Sequence, residues 1–398
     1  MSSPFLEDAE ALRDEIVSIR RDLHMHPELG FQEVRTARIV AEKLGELGYE
    51  VATGVGKTGV VGLLQGGQPG ERTVLLRFDM DALPIEEAND VSYRSQSPGV
   101  MHACGHDAHV AVGIGVANVL MKHRDQIPGT IKLMFQPAEE GLGGAKAMIA
   151  DGVLKGPNVD VALGLHVSSQ IPVGKVAFRS GPMMAASDRF EVLVKGRGGH
   201  GAHPEQTIDA VMVAAHIVVA LQTIIARNLN PEEIGVVTVG AIHAGEAPNV
   251  IAETALMRGT IRSFTPETRE LLHRRVKEIA TGVATTFGAQ AEVTSVFGVD
   301  ATVNAEAPSA VVRKAAAEVF GDAHVDTNYR TTGGEDFSAV LAAVPGNFFM
   351  LGARNDERGL NFPHHNPRFD IDESSLPKGV AILCDAAVRC LNGEHERS

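Results

Sequence analysis

Thr73-Val74-Leu75-Leu76-Arg77-Phe78-Asp79-Met80-Asp81 is the stretch whose reading decides the fold. Residues 73–78 read as a strand, and two carboxylates follow as soon as the apolar run ends. Two later runs repeat the pattern. TIKLMF at 130–135 leads into Gln136-Pro137-Ala138-Glu139-Glu140-Gly141, and VDVALGL at 159–165 leads into His166. Helical spacing at about 107–124 and 142–151 separates them, and VVGLL near 60 adds another strand-like run. Apolar strands joined through amphipathic helices need crossovers, which gives a mostly parallel sheet. In such open sheets a site lies just beyond the carboxyl ends of strands, where these acids and this imidazole fall.

Outward from that core, residues 8–24 and 33–48 carry apolar positions at helical spacing, with Pro27 and Gly30 between them. From about 187 the grammar changes. RFEVLVKG is a strand, 207–227 a long helix, and IGVVTVGAIHAG and ETALMRGTIRSF are strands. A helix with Thr265 as N-cap and Pro266 at its first position follows, and AQAEVTSVF closes the unit as a strand. The order β-α-β-β-α-β is the split unit of a ferredoxin-like sandwich. The expectation is an α/β domain from residues 1–186 and 298–398, with a smaller α+β domain inserted at 187–297.

Bulk properties exclude several classes. At 398 residues the chain has room for more than one core. Its net charge is −14, no Lys/Arg block stands out, and there is no Trp, so no nucleic-acid partner is expected. Residues 1–20 do not read as a signal peptide and no apolar run suggests a membrane span, so no membrane partner is expected. Three cysteines, Cys104, Cys384 and Cys390, are too few and odd for a disulfide framework, so a cytoplasmic location with reduced thiols is expected. Gly54-Val55-Gly56-Lys57-Thr58-Gly59 matches a dinucleotide-binding pattern literally. VVGLLQGG after it reads as a strand rather than the required helix, so the stretch is a loop.

The segment Met101-His102-Ala103-Cys104-Gly105-His106-Asp107-Ala108-His109 carries the chemistry. Cys and His two apart can meet one ion from a single loop, with Gly105 allowing a sharp turn. An isolated histidine at a helix start would be read as surface. This density beside a cysteine reads as metal binding. Gathering acids, imidazoles and a thiol at one sheet edge is costly unless a cation compensates. His364 and His365, in Pro363-His364-His365-Asn366-Pro367, can add an imidazole.

Six segments in order then carry a resemblance: His24-Met25-His26-Pro27-Glu28-Leu29-Gly30, Asp79-Met80-Asp81-Ala82-Leu83-Pro84, Met101-His102-Ala103-Cys104-Gly105-His106-Asp107, Gln136-Pro137-Ala138-Glu139-Glu140-Gly141, Gly164-Leu165-His166 and Gly333-Gly334-Glu335-Asp336-Phe337. Together they resemble the di-metal aminoacylase/hippurate hydrolase family, which includes hydrolases of auxin–amino acid conjugates and some carboxypeptidases. The resemblance implies a zinc-peptidase-like catalytic domain and hydrolysis of the amide bond of N-acyl amino acids. Dipeptidase or carboxypeptidase action by the same site, or a non-catalytic metal-binding protein, are the alternatives. It implies two divalent ions, zinc or manganese with cobalt or nickel as further candidates, held by Cys104, His106, Glu140, His166 and His365, with Cys104 bridging. His365 is preferred to His364 because His-Asn-Pro fits the family's His-x-Pro turn better. Glu139 is implied as general base, and Asp81 as the group that holds a ligand histidine in its tautomer. Asp79 stands where related peptidases carry a ligand histidine and is left out.

By the same resemblance the inserted domain is a lid and dimerisation domain of a homodimer. His200, in Gly198-Gly199-His200-Gly201, would reach a partner subunit's site and polarise the scissile carbonyl, with His203 as the alternative. Asn249 and Arg262 would hold the substrate carboxylate, a task to which the planar fork of arginine is suited.

Overall fold

The computed structural model describes residues 4–396. Among these the chain divides into two compact units. The first comprises the described residues up to Met183, Thr302–Arg330 and those from Asp336 onward, and the second Met184–Ala301 with Thr331–Glu335.

The first unit is built on an eight-stranded sheet in the order Glu50–Val55, Gly59–Gln65, Pro128–Gln136, Gln68–Asp79, Val161–Pro172, Gly346–Arg354, Val176–Ala177, Val325–Asp326. Its centre is parallel: Gln68–Asp79 pairs in parallel with both Pro128–Gln136 and Val161–Pro172, and Gly346–Arg354 extends the run. The edge departs from that rule. Gly59–Gln65 runs antiparallel to both its neighbours, because a short hairpin turn joins it to Glu50–Val55 and no crossover intervenes. The Gly54–Gly59 motif is this turn, with Gly56 and Lys57 at positive φ.

One helix sets the position of the site. His106–Lys122 is apolar all round and almost wholly buried, the pattern of a helix enclosed on every side. At Gly113 it lies so close to the sheet that a Cβ would come within 2.7 Å of Phe78 and Phe135. On its far side, a Cβ at Gly115 would meet Val380 and Ile16 at 2.9 and 3.0 Å. The helix is therefore pinned between the sheet and the helices Leu376–Leu391 and Arg13–Met25. Gly105, at φ 92°, turns the chain into its first residue.

In the second unit the four-stranded sheet runs Gly235–Ala244, Thr254–Ser263, Ala186–Lys195, Gln290–Val299, with every pairing antiparallel. Numbered along the chain this order is two, three, one, four, the ferredoxin-like arrangement. The helix expected at 207–227 is two, Ala210–Leu221 and Thr223–Arg227, and Asp209 caps the first by accepting from the Val211 and Met212 amides. By length and composition Ala210–Arg227 is apolar enough to cross a membrane, which the sequence reading does not single out. Here one face of it, Ala210, Val213, Ala214, Ile217, Leu221 and Ile224, packs into the core of this unit. The helix Pro266–Thr286 covers the same sheet and begins as expected, with the Thr265 hydroxyl accepting the Thr268 amide at 3.2 Å. The segment Thr331–Glu335 joins through the Ala185 amide, which donates to the Gly333 carbonyl at 3.0 Å.

Candidate metal centre

The loop before the buried helix and that helix's first residue deliver Cys104 and His106, and the ends of Gln68–Asp79 and Pro128–Gln136 deliver Asp79, Asp81, Glu139 and Glu140. His166 does not follow its strand as the sequence suggested but lies inside it, paired with Met350, because Val161–Pro172 continues past it. Cys104, His106 and His166 form one group of metal-capable atoms lying within 4.8 Å of one another. Cys104, Glu140 and His365 form a second such group, and His106, Glu139 and Glu140 a third. The thiol belongs to both of the first two.

The imidazoles of His106 and His166 are oriented by ordinary hydrogen bonds. His106 Nδ1 donates to the Asp81 carbonyl oxygen at 2.8 Å, and its Nε2, 3.4 Å from Asp79 Oδ2, is buried and without a hydrogen bond. His166 Nδ1 donates to the Val167 carbonyl at 2.6 Å, and its Nε2 faces Cys104 Sγ at 3.4 Å. Asp81 therefore orients His106 through its backbone; its carboxylate is at 3.3 Å from the same nitrogen. The carboxylate accepts the Glu139 amide on one oxygen and the Glu140 amide on the other, at 3.0 Å each. Glu139 Oε1 in turn accepts the Asp336 amide at 3.3 Å.

Charges follow from this packing. Burial and the nearby Glu140 push the Cys104 thiol well above its usual range. Burial, reinforced by His109 and His364, holds His166 neutral. For His106 burial opposes the charged form, but Asp79 and Asp81 outweigh it. His365 is raised by its bond to Glu140, whose Oε1 lies 3.2 Å from His365 Nε2. His364 is different: burial and the neighbouring His365 push it down to about 3, and its Nε2 faces the Ser169 amide at 3.4 Å.

Not every nominated group is available. His109 Nδ1 donates to Asp79, and its Nε2 accepts the Val167 amide at 2.9 Å, so both ring nitrogens are engaged. Asp79 is held well below the usual carboxylate range; burial opposes this, and the Arg77 guanidinium at 2.7 Å, His106 and His109 prevail. In the second unit His200 and Asn249 are exposed and adjacent, because Gly199–His200 pairs with Val250–Ile251 and the Gly201 amide donates to the Asn249 carbonyl at 2.8 Å. His203 lies beside them, its ring centroid 5.4 Å from that of His200. Arg262 is half-buried on Thr254–Ser263, opposite Ser187 and Val236.

Behind the site lies an ion network the motifs do not show. Arg20, fully buried, pairs with Asp107 at 2.9 Å and Asp370 at 2.9 Å, while His24 meets Asp107 at 2.7 Å. The available signal was an arginine on the buried face of a helix, between Ile16 and Leu23. Asp336 is similarly embedded, its carboxylate taking the Gln136 amide at 2.6 Å and the Ala145 amide at 3.0 Å. In the sequence Asp336 stands only as part of the motif Gly333-Gly334-Glu335-Asp336-Phe337, without a role.

Comparison with known proteins decides the family. Residues 75–389 match the family described as peptidase family M20/M25/M40. The chain belongs to this family. As a member it is a metal-dependent hydrolase, in a lineage whose proteins act on amides or peptides. It is 42% identical to thermostable carboxypeptidase 2 of Saccharolobus solfataricus, over 97% of this chain and 98% of that protein. It is 38% identical to N-acetyl-L-cysteine deacetylase of Bacillus subtilis, over 97% and 90%. Among solved structures, a dinuclear metal-binding M20 peptidase of Bacillus subtilis superposes with a TM-score of 0.84 at 33% identity, covering 96% of this chain and 99% of that one.

The donors of this M20 chain fit a pair of divalent ions. His106 Nε2 has no hydrogen bond to satisfy it, the neutral His166 aims its Nε2 lone pair at Cys104, and the thiol is shared by two groups. A thiol held protonated beside carboxylates is poor local chemistry on its own account; a cation reverses it by favouring the thiolate.

Proposed function

We propose that the protein hydrolyses the amide bond of N-acyl amino acids, of the hippurate or N-acetyl-amino acid type, releasing a carboxylic acid and a free amino acid. Cys104, His106, Glu140, His166 and His365 would hold two divalent ions, zinc or manganese by donor chemistry, with cobalt or nickel as further candidates. When bound, such ions supply Lewis-acid polarisation and lower the pKa of water.

The single observation that carries the reading is a carboxylate left over. Glu140 groups both with Cys104 and His365 and with His106, whereas Glu139 joins the His106 group but not the one with Cys104 and His365, and its Oε1 accepts the Asp336 amide. A protein that only stored metal would need the ligands and no further carboxylate beside them. Glu139 takes the proton of the attacking water on its carboxylate and returns it to the departing nitrogen, which cannot leave as an anion. Asp81 keeps Glu139 and Glu140 in register by holding both their amides. In this proposal His200 of a partner copy donates to the developing oxyanion, and Asn249 and Arg262 receive the substrate carboxylate. The protein acts as a cytoplasmic homodimer.

A relative named for an N-acetyl amino acid supports this substrate class, and one named a carboxypeptidase supports the peptide alternative. The test is a hydrolysis panel of N-acyl amino acids against dipeptides, using apo-protein reloaded with zinc, manganese, cobalt or nickel. Preference for dipeptides would replace the substrate class. Silence on every substrate with metal bound would leave a binding protein.

A further inference from the structure

Glu33 stands at the N-cap of the helix Val34–Leu47, yet its side chain makes no capping bond to that helix. The side chain at this position often accepts an amide of the first turn, most readily when it is a short one such as Asp or Ser. Here Glu28 does so instead, its two oxygens accepting from Arg35 and Thr36 at 2.8 Å each. Glu33 is fully buried and points elsewhere. One oxygen accepts the Ala138 amide at 2.8 Å, and the other accepts the Thr58 hydroxyl at 2.5 Å.

Ala138 has φ 53°, a left-handed conformation that a residue with a Cβ adopts only when its surroundings impose it. It directly precedes Glu139. The turn has little room to shift, since a Cβ on Gly30 would already lie 3.1 Å from Ala138 Cα and 2.9 Å from Leu142 Cδ1. Thr58 comes from the glycine-rich hairpin turn that matched a nucleotide motif by accident; it satisfies the second oxygen of Glu33.

We infer that Glu33 is a positioning residue for Glu139, acting through the Ala138 amide to hold the turn that aims the base. Three successive amides of this turn, 138, 139 and 140, are then pinned by two carboxylates from distant parts of the chain, Glu33 and Asp81. The inference rests on the proposed role of Glu139.

The test compares Glu33→Ala, Glu33→Gln and Thr58→Val in the full chain, measuring kcat, KM and bound metal. Amide hydrogen exchange across residues 137–141 is followed in the metal-free protein. Glu33→Ala is expected to lower kcat by on the order of 10²-fold, as misplacement of a reacting group does, with KM and metal content unchanged and faster exchange at 138–140. Glu33→Gln keeps an acceptor for the Ala138 amide and should recover most of kcat; Thr58→Val should fall between them. Unaltered exchange in Glu33→Ala, or metal lost in step with kcat, overturns the inference. If Glu33→Ala does not fold, wild-type kcat and exchange in Thr58→Val overturn it. The exchange arm needs no substrate, and the kinetic arm runs on whichever amide or peptide the panel identifies. Failure of the substrate reading is therefore read in the panel and failure of the Glu139 role in Glu139→Ala, each apart from failure of this inference.

Discussion

His365 Nε2 lies 3.2 Å from Glu140 Oε1, although the two residues come from opposite ends of the first unit's sequence. This contact separates two adjacent histidines. His365 is exposed, adopts φ 64° and shares a donor group with Cys104 and Glu140. His364 packs between His166 and Phe369, at ring-centroid distances of 5.1 and 4.8 Å. Replacing His365 by Ala should reduce bound metal from about two ions per chain toward about one, because the donor group of Cys104, Glu140 and His365 loses a member. His364→Gln should leave the stoichiometry intact. Elemental analysis of the purified variants checks this, and the reverse pattern would exchange the two assignments.

Glu139→Ala should lower kcat by about 10²–10⁴-fold, the range for loss of a positioned general base. Metal content should stay at the wild-type level, since Cys104, Glu140 and His365 are untouched. Metal lost together with activity would make Glu139 a ligand instead.

Lys132 is a structural cation. Its buried ammonium donates to the carbonyls of Val153, Lys155 and Pro157 at 2.9, 2.8 and 2.9 Å. Lys132→Met would strand three acceptors in a site with no replacement donor, and should cost about 3 kcal/mol or more of stability. Urea unfolding measures it. A loss within error would mean that the loop at 153–157 relaxes freely to water.

Acid stability should depend on Asp188. Its carboxylate accepts from Arg269 at 2.6 and 2.7 Å, from the Gly298 amide at 2.9 Å, and contacts His273 at 2.9 Å. Burial alone would raise its pKa, but these partners hold it below the usual carboxylate range. A group depressed on folding stabilises the native state above its unfolded pKa, about 3.9, and that contribution disappears as pH falls through the lower folded value. Below about pH 4 the wild type should therefore lose Tm more steeply than Asp188→Asn. Parallel curves from pH 7 to 3 would remove the pair from the acid transition.

Local patterning carried much of the architecture. The runs at 73–78, 130–135 and 159–165 are strands of the parallel centre, and Thr265-Pro266 starts a helix as its chemistry dictates. The direction of Gly59–Gln65 was not legible, because an apolar strand reads the same in either orientation. Within the site, the sequence nominated donor atoms, and geometry sorted them. The three histidines and the cysteine between 102 and 109 look alike in a string, yet His109 is engaged at both nitrogens. Glu33 escaped notice, and Asp336 was quoted in a motif without a role, because their bonds to Ala138 and Glu139 span 105 and 197 residues. No periodicity encodes such a pairing.

Asp81 gives its carbonyl to His106 and its carboxylate to the amides of Glu139 and Glu140. One residue thereby works as a gauge block between the imidazole and the two glutamates. The spacing belongs to the polypeptide and not to whichever cation arrives. Exchange of one metal for another should then proceed without refolding, and the ion found in the site will reflect what the surroundings supply as much as what the protein selects.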